Sequence, residues 1–84
     1  MAMQENAGLT KNREQFLFNE INALYDKGIF LFCLGKYEES IRCFNQIIFI
    51  NPSSKTAFGY KGLALRKLNR HKDAVECYKK ALIC

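Results

Sequence analysis

The sequence predicts an all-α fold, an α-solenoid of two helix-turn-helix hairpins with an N-terminal helical extension. Two observations predict it. Apolar residues recur at helical spacing along most of the chain. The pattern then returns after thirty-four residues, so that Gly28 is matched by Gly62 and Cys43 by Cys77. A fixed period of this length is typical of stacked helical hairpins.

The first helix is predicted from about Asn12 to Cys33, with Gln15 placed to complete a capping box at its start. A break near Asn19 is the alternative. Residues 1–9 are polar and show no periodicity, so no regular structure is predicted for them.

Three further helices are predicted at about residues 37–50, 55–67 and 71–83. Gly35 ends the first helix, because a glycine adopts the left-handed conformation of a helix end without penalty. Asn69 takes the same place in the second hairpin, and asparagine tolerates that conformation better than most residues.

The boundary between the hairpins carries its own signals. Pro52 disfavours helix in the residue before it, and Ser53 and Ser54 are candidate N-caps for the third helix. The second helix has an apolar stripe of Ile41, Phe44, Ile47 and Ile48. The fourth is expected to bury Val75, Tyr78, Ala81 and Leu82.

The period and its key residues resemble the tetratricopeptide repeat, whose signature is W-x2-L-G-x2-Y, then A-x3-F, then P. Gly28, Phe44 and Pro52 match it outright, whereas Lys27 and Lys61 replace an apolar residue. The resemblance implies an N-terminal extension over residues 1–20, a first repeat over 21–54 and a second, truncated repeat over 55–84. It also implies that the glycines and the small residues Ser40 and Ala74 let paired helices approach closely.

Charge is unevenly distributed along the 84 residues, whose net charge is +5. Residues 1–54 carry five basic and six acidic side chains, giving −1, and residues 55–84 carry eight basic and two acidic, giving +6. This asymmetry favours an acidic partner, although a solvated helical surface explains it as well. No nucleic-acid-binding motif accompanies the charge, so nucleic acid is not expected as a partner.

Several classes of protein are not expected. Apolar runs are too short to span a bilayer, and the first residues lack the apolar core of a secretory signal. The four cysteines lack metal-ligand spacing, so reduced thiols and a cytoplasmic location are expected, with no metal and no cofactor.

Catalysis is not expected either. The only histidine is His71, which stands where Tyr37 stands in the first hairpin and is explained by packing at the hairpin corner. Glu38 and Glu39 are adjacent on a helix and point about 100° apart, so they cannot share a proton. No phosphate-binding glycine motif is present.

The resemblance instead implies a non-catalytic protein–protein interaction module, in which the first helices of the hairpins line a concave groove for a peptide or protein segment. The groove should combine an apolar, aromatic strip with basic residues at one end, which suits an amphipathic segment with an acidic flank. Gly59 should leave a dent in it. The predicted groove residues are Asn22, Tyr25, Asp26, Ile29, Phe32 and Cys33 in the first hairpin, and Thr56, Tyr60, Leu63, Arg66 and Lys67 in the second.

A second interpretation stays open. Such hairpins do not bury their apolar faces alone, and the chain ends on the apolar residues Ala81 to Cys84. Either the chain belongs to a longer repeat array, or a homo-oligomer covers these faces. In that case the groove residues would contact a neighbouring hairpin or another copy.

Overall fold

A computed structural model describes the backbone of residues 2–84 and the side chains from residue 13 onward. That part of the chain forms four helices and no strand: α1 (Ala2–Cys33), α2 (Tyr37–Ile50), α3 (Lys55–Lys67) and α4 (His71–Ile83). Each helix packs on the next along the chain, and α1 also reaches α3. The predicted fold class is confirmed, and α2 to α4 have the predicted bounds.

The first helix is longer than predicted. It begins at Ala2, not near Asn12, and it runs through Asn19 without a break. The expectation of no regular structure over residues 1–9 is therefore wrong for residues 2–9, and Met1 lies outside the described residues. Gly8 is the one strong helix-breaking residue before the first repeat, and a single glycine costs only about 1 kcal/mol.

The proposed cap at the start of α1 is also wrong. Since the helix is already formed at Asn12, that residue is not an N-cap. Gln15 instead donates a hydrogen bond to Asn19, with 3.1 Å between Nε2 and Oδ1. The division of the chain at residues 20 and 54 remains a prediction.

The turn inside each hairpin contains one residue in the left-handed conformation. Gly35 has φ of 80° and Asn69 has φ of 63°. In the first turn the Lys36 N–H donates to the carbonyl of Leu31 at 2.9 Å, and the second turn repeats this bond between equivalent residues. This is the Schellman arrangement, which satisfies carbonyls left unpaired at a helix end. The roles predicted for Gly35 and Asn69 are confirmed.

The link between the hairpins is short and capped. Ser54 is the N-cap of α3, and its hydroxyl accepts a hydrogen bond from the Ala57 N–H at 3.3 Å. The same hydroxyl is hydrogen-bonded to the Tyr25 hydroxyl. One serine therefore both starts α3 and ties it to α1.

The core lies at the junction between the two hairpins. One cluster joins Phe44 and Ile47 of α2 to Ala57 of α3. The other joins Ile41 of α2 to Ala64 of α3 and to further residues of α3 and α4. Small residues on α3 thus meet large residues on α2, which brings the two helices close together.

Gly28 and Gly62 are packed against aromatic rings of the second helix of their own hairpins. A Cβ added at Gly28 would come within 2.9 Å of Cζ of Phe44, and one added at Gly62 within 2.6 Å of Cε1 of Tyr78. Beside the first contact, the buried Ser40 hydroxyl donates to the Gly28 carbonyl at 2.7 Å. The two helices of each hairpin approach closely, as predicted. The glycine is needed because a side chain at its position would collide with the aromatic ring of the other helix.

The apolar stripe predicted for α4 is only partly correct. Tyr78 and Ala81 are half-buried, but Val75 and Leu82 are exposed, and the buried residues of α4 are Ala74 and Cys77. In the first hairpin the equivalent face of α2 is covered by α3. For α4 no helix among the described residues takes that place.

Candidate functional site

The residues predicted to line the groove divide by burial. Seven of them are exposed along α1 and α3, namely Asn22, Asp26, Cys33, Thr56, Leu63, Arg66 and Lys67. Six of these seven are polar or carry a thiol. The accessible part of the predicted groove is therefore mainly polar.

The four aromatic and aliphatic members between them are half-buried. Tyr25, Ile29 and Tyr60 pack against the cluster of Phe44 and Ile47. The Tyr60 ring stacks on Phe44, with ring centroids 5.1 Å apart, and it contacts Phe32 edge-on at 6.2 Å. Phe32 and Tyr60 thus contact rings across the two hairpins, as in the alternative that the sequence left open, whereas the Tyr25 ring meets Phe44 within its own hairpin.

An apolar hollow lies at the second-hairpin end of this surface. It has a volume of about 350 Å³ and is lined by Thr56, Gly59, Tyr60, Leu63 and Tyr78. No atom of the described side chains would lie within 4 Å of a Cβ added at Gly59. The dent expected at Gly59 is therefore present, and its lining is nearly all carbon.

The hollow exists because the two hairpins differ at one equivalent position. Gly59 stands where Tyr25 stands in the first hairpin, and the Tyr25 ring fills the equivalent space beside Phe44, with centroids 6.1 Å apart. Tyr78, the equivalent of Phe44, then becomes a wall of the hollow. Sequence reasoning missed Tyr78 because it considered only the first helix of each hairpin. The thirty-four-residue register could have found it.

Tyr78 carries a second distinctive feature. Its hydroxyl is buried and has no hydrogen-bond partner among the described side chains and backbone. A buried hydroxyl without a partner is costly, so this group lowers the stability of the fold and is not available to a ligand in the hollow.

Positive charge flanks the hollow. Arg66 and Lys67 lie in the last turn of α3, one and two turns beyond the lining residues Leu63 and Gly59, and both are exposed. Their placement near a helix C-terminus is favourable for cations. An apolar depression beside two accessible cations suits an apolar side chain followed by acidic groups.

Other chemistry-bearing groups are placed as structural or surface residues. His71 is exposed at the start of α4 and does not pack at the hairpin corner, unlike Tyr37, whose ring meets Phe32 at 5.3 Å. The packing role predicted for His71 is therefore wrong. Tyr37 packs on the Phe32 ring, but the equivalent of Phe32 in the second hairpin is the exposed Arg66, so His71 has no ring to pack on. Among the described side chains, no cluster of three histidine, cysteine or acidic residues could hold a metal ion.

The cysteines form two classes. Cys33 and Cys84 are exposed, Cys43 and Cys77 are buried, and all four are free thiols. Burial raises the pKa of the Cys77 thiol, and the nearby Lys61 and Lys80 oppose that shift only in part. The thiol of Cys77 therefore stays protonated at neutral pH and behaves as a core residue.

None of the helices within the described residues is long and apolar enough to cross a membrane.

The fold and the repeated glycine–ring contacts define a class, that of α-solenoids built from helical hairpins. Comparison with known sequences identifies the family: the chain matches the tetratricopeptide repeat over residues 21–54 and 58–82 and belongs to that family. Repeats of this family generally mediate protein–protein interaction and bind proteins or peptides. The chain is also similar to an uncharacterised protein of Methanocaldococcus jannaschii, with 38% identity over 58 residues, which cover 69% of this chain and 67% of the relative.

Proposed function

We propose that the protein is a non-catalytic interaction module that binds a peptide or protein segment on the surface of α1 and α3, with the hollow at Gly59 as its anchoring point. The observation that carries this proposal is the apolar hollow of about 350 Å³ at the position where the first hairpin has a tyrosine. The hollow is shallow and open to solvent, so it suits a single apolar side chain of a segment that lies on the surface.

The expected ligand follows from the lining and from the charge beside it. One large apolar side chain enters between Leu63 and Tyr78, and acidic residues next to it meet Arg66 and Lys67. Asn22 and Asp26 of α1, which the sequence predicts for the same groove, are exposed and could offer polar contacts. An acidic flank adds association rate and selectivity more than affinity, because rim charges remain solvated.

The test uses calorimetric titration with synthetic helical peptides that carry one central leucine, flanked either by glutamates or by lysines. We expect saturable binding of the acidic peptide and much weaker binding of the basic one. The substitution Gly59→Tyr, which places the first-hairpin residue in the hollow, should abolish binding. Gly59→Ala is the matched control, since it adds one methyl group and leaves most of the hollow open.

The charged end is tested separately. Arg66→Glu should remove the preference for the acidic peptide and leave binding of an uncharged leucine peptide unchanged. Binding that survives in Gly59→Tyr, or no binding of any peptide in the panel, would refute the hollow as the anchoring point.

A second function is favoured by a different observation, the exposure of Val75 and Leu82 on α4. These apolar side chains are suited to self-association, in which another copy covers them. Sedimentation of the full chain at several concentrations tests it, and a monomer at all of them would contradict it.

A further inference from the structure

Among the exposed apolar side chains of the described residues, which also include Phe16 and Phe18, two sets occupy related faces of the repeat. One is at the C-terminal end of α1, where Phe30 and the following Leu34 are exposed. The other is on α4, where Val75 and Leu82 are exposed. We call the first the α1 face and the second the α4 face.

The repeat register relates these two faces to the core. Shifted by thirty-four residues, Val75 corresponds to Ile41 and Leu82 to Ile48 of α2, which α3 covers. In the same way Phe30 corresponds to Ala64 of α3, and Leu34 corresponds to Leu68, the residue that follows α3. Both Ala64 and Leu68 belong to or pack against the cluster that contains Ile41 of α2. The two outer faces are therefore the equivalents of the two faces that meet at the junction between the hairpins.

The exposed fractions of equivalent residues show how much apolar surface on each outer face has no packing partner. Ile41 is 9% exposed, and its equivalent Val75 is 48% exposed; Ala64 is fully buried, and its equivalent Phe30 is 63% exposed. Exposed large apolar side chains on two related faces are characteristic of an unformed contact.

Charge supports the same pairing. Across the junction inside the chain, Tyr60 of α3 contacts Phe32 of α1, with ring centroids 6.2 Å apart. Shifting Tyr60 back by one period gives Asp26, and shifting Phe32 forward gives Arg66. The aromatic contact would thus become a contact between an acidic and a basic side chain, both of which are exposed in the single chain.

We infer that copies of this chain stack head to tail, with the α1 face of one copy packed on the α4 face of the next in the manner of α3 on α2. The inference rests on the second of the proposed functions, self-association, and specifies the surfaces that carry it. It shares Asp26 and Arg66 with the surface proposed for peptide binding, so the two proposals are separated by the experiments below and not by the residues that they use.

Side-chain sizes at the two faces are compatible with this packing. The α1 face has larger side chains than the equivalent face of α3, because Phe30 stands at the position of Ala64. The α4 face has smaller side chains than the equivalent face of α2, because Val75 stands at the position of Ile41 and Ala81 at that of Ile47. A bulky residue on one helix facing smaller residues on the other preserves the total volume that a packed junction needs.

The contact is heterologous, since the two faces differ. Such a contact leaves each pair of copies with one free face at either end, so that assembly continues until it closes or the concentration limits it. The average mass should therefore rise steadily with concentration and not stop at a dimer.

The test uses two variants of the full chain, each with one face disabled by a charge at an exposed position. Leu82→Glu disables the α4 face, and Phe30→Glu disables the α1 face. Each variant alone should sediment as a monomer at concentrations where the wild-type chain assembles. An equimolar mixture should give one species of twice the monomer mass, because each variant retains the face that the other has lost.

Phe49→Glu is the matched control. Phe49 is 88% exposed on α2 and belongs to neither face, so this variant should assemble like the wild-type chain. The polar pair provides a second check: Asp26→Arg and Arg66→Asp should each weaken assembly, and the double variant should restore it. Circular dichroism establishes that every variant is helical.

Three outcomes would overturn the inference: a wild-type chain that is monomeric at all concentrations, a mixture that remains monomeric, or loss of assembly in Leu82→Glu but not in Phe30→Glu. The last would indicate pairing of two α4 faces. The calorimetric peptide titrations are repeated in Leu82→Glu, which should not stack. Peptide binding at the hollow and stacking between copies are thereby tested in separate experiments.

Discussion

Gly62 lies directly against the ring of Tyr78, and a Cβ added to the glycine would come within 2.6 Å of Cε1. The equivalent pair, Gly28 and Phe44, shows the same relationship at 2.9 Å. Each hairpin is therefore closed by an aromatic ring resting on a glycine. This contact, repeated once per period, explains why the glycine recurs and why its partner is aromatic both times.

The first prediction concerns that contact. Gly62→Ala should lower the free energy of unfolding by about 1–3 kcal/mol, because the added methyl group must displace the Tyr78 ring. Urea denaturation of the dilute chain measures it. A variant as stable as the wild type would show that the ring can move away without loss.

The second prediction is the opposite result at a neighbouring glycine. Gly59→Ala should raise the free energy of unfolding by about 0.5–1 kcal/mol, because alanine reduces the freedom of the unfolded chain and meets no atom in the folded one. The structure gives 4 Å or more of free space at this position among the described side chains. Destabilisation by Gly59→Ala would contradict the open hollow.

The third prediction concerns the buried hydroxyl of Tyr78, which has no partner among the described residues. Tyr78→Phe should raise the free energy of unfolding by about 1 kcal/mol, because it removes a desolvated polar group without changing the ring. Phe44→Tyr is the reciprocal control and should destabilise, since Phe44 is fully buried. Chemical denaturation measures both, and a loss of stability in Tyr78→Phe would mean that the hydroxyl is satisfied.

The fourth prediction is a pH dependence. The pKa of Cys77 is raised in the folded chain by burial, so the folded state binds the thiol proton more tightly than the unfolded state. The resulting stability is complete below the pKa of the unfolded thiol and is lost as pH rises through the folded pKa. Stability should therefore fall above about pH 9 more steeply in the wild type than in Cys77→Ala.

Alkylation provides the matching chemical readout. At neutral pH an iodoacetamide reagent should modify the exposed Cys33 and Cys84 and leave the buried Cys43 and Cys77 unmodified until the chain is denatured. Cys84→Ala removes an exposed thiol and is the alkylation control, since it should lose one of the two sites that react in the folded chain. Equal slopes in the wild type and Cys77→Ala would exclude the proposed linkage.

Most of the fold could be predicted from local signals. Gly35 and Asn69 mark helix ends because few residues adopt a positive φ, and Ser54 marks a helix start because its hydroxyl can accept a backbone N–H. The start of α1 could not be predicted, because helix-forming polar residues without periodicity look alike whether or not a helix continues through them.

The candidate site was predictable in outline only. The groove residues were named from the spacing of one helix per hairpin, whereas the hollow also needs Tyr78 from α4. Burial of Tyr25, Ile29 and Phe32 depends on contacts between α1, α2 and α3, and the apolar period of α1 is the same whether those contacts form or not.

By itself the sequence determined the repeat, the bounds of α2 to α4 and the paired glycines. The helix ends depend on backbone conformations that few residue types adopt, and the repeat follows from the thirty-four-residue period. Tertiary structure alone decided which apolar residues are covered. Val75 and Ile41 occupy equivalent positions and differ by one methylene, yet only Ile41 has α3 packed over it. Whether a side chain is buried depends on the helix that packs over it, and the sequence of one helix does not specify which other helix will do so.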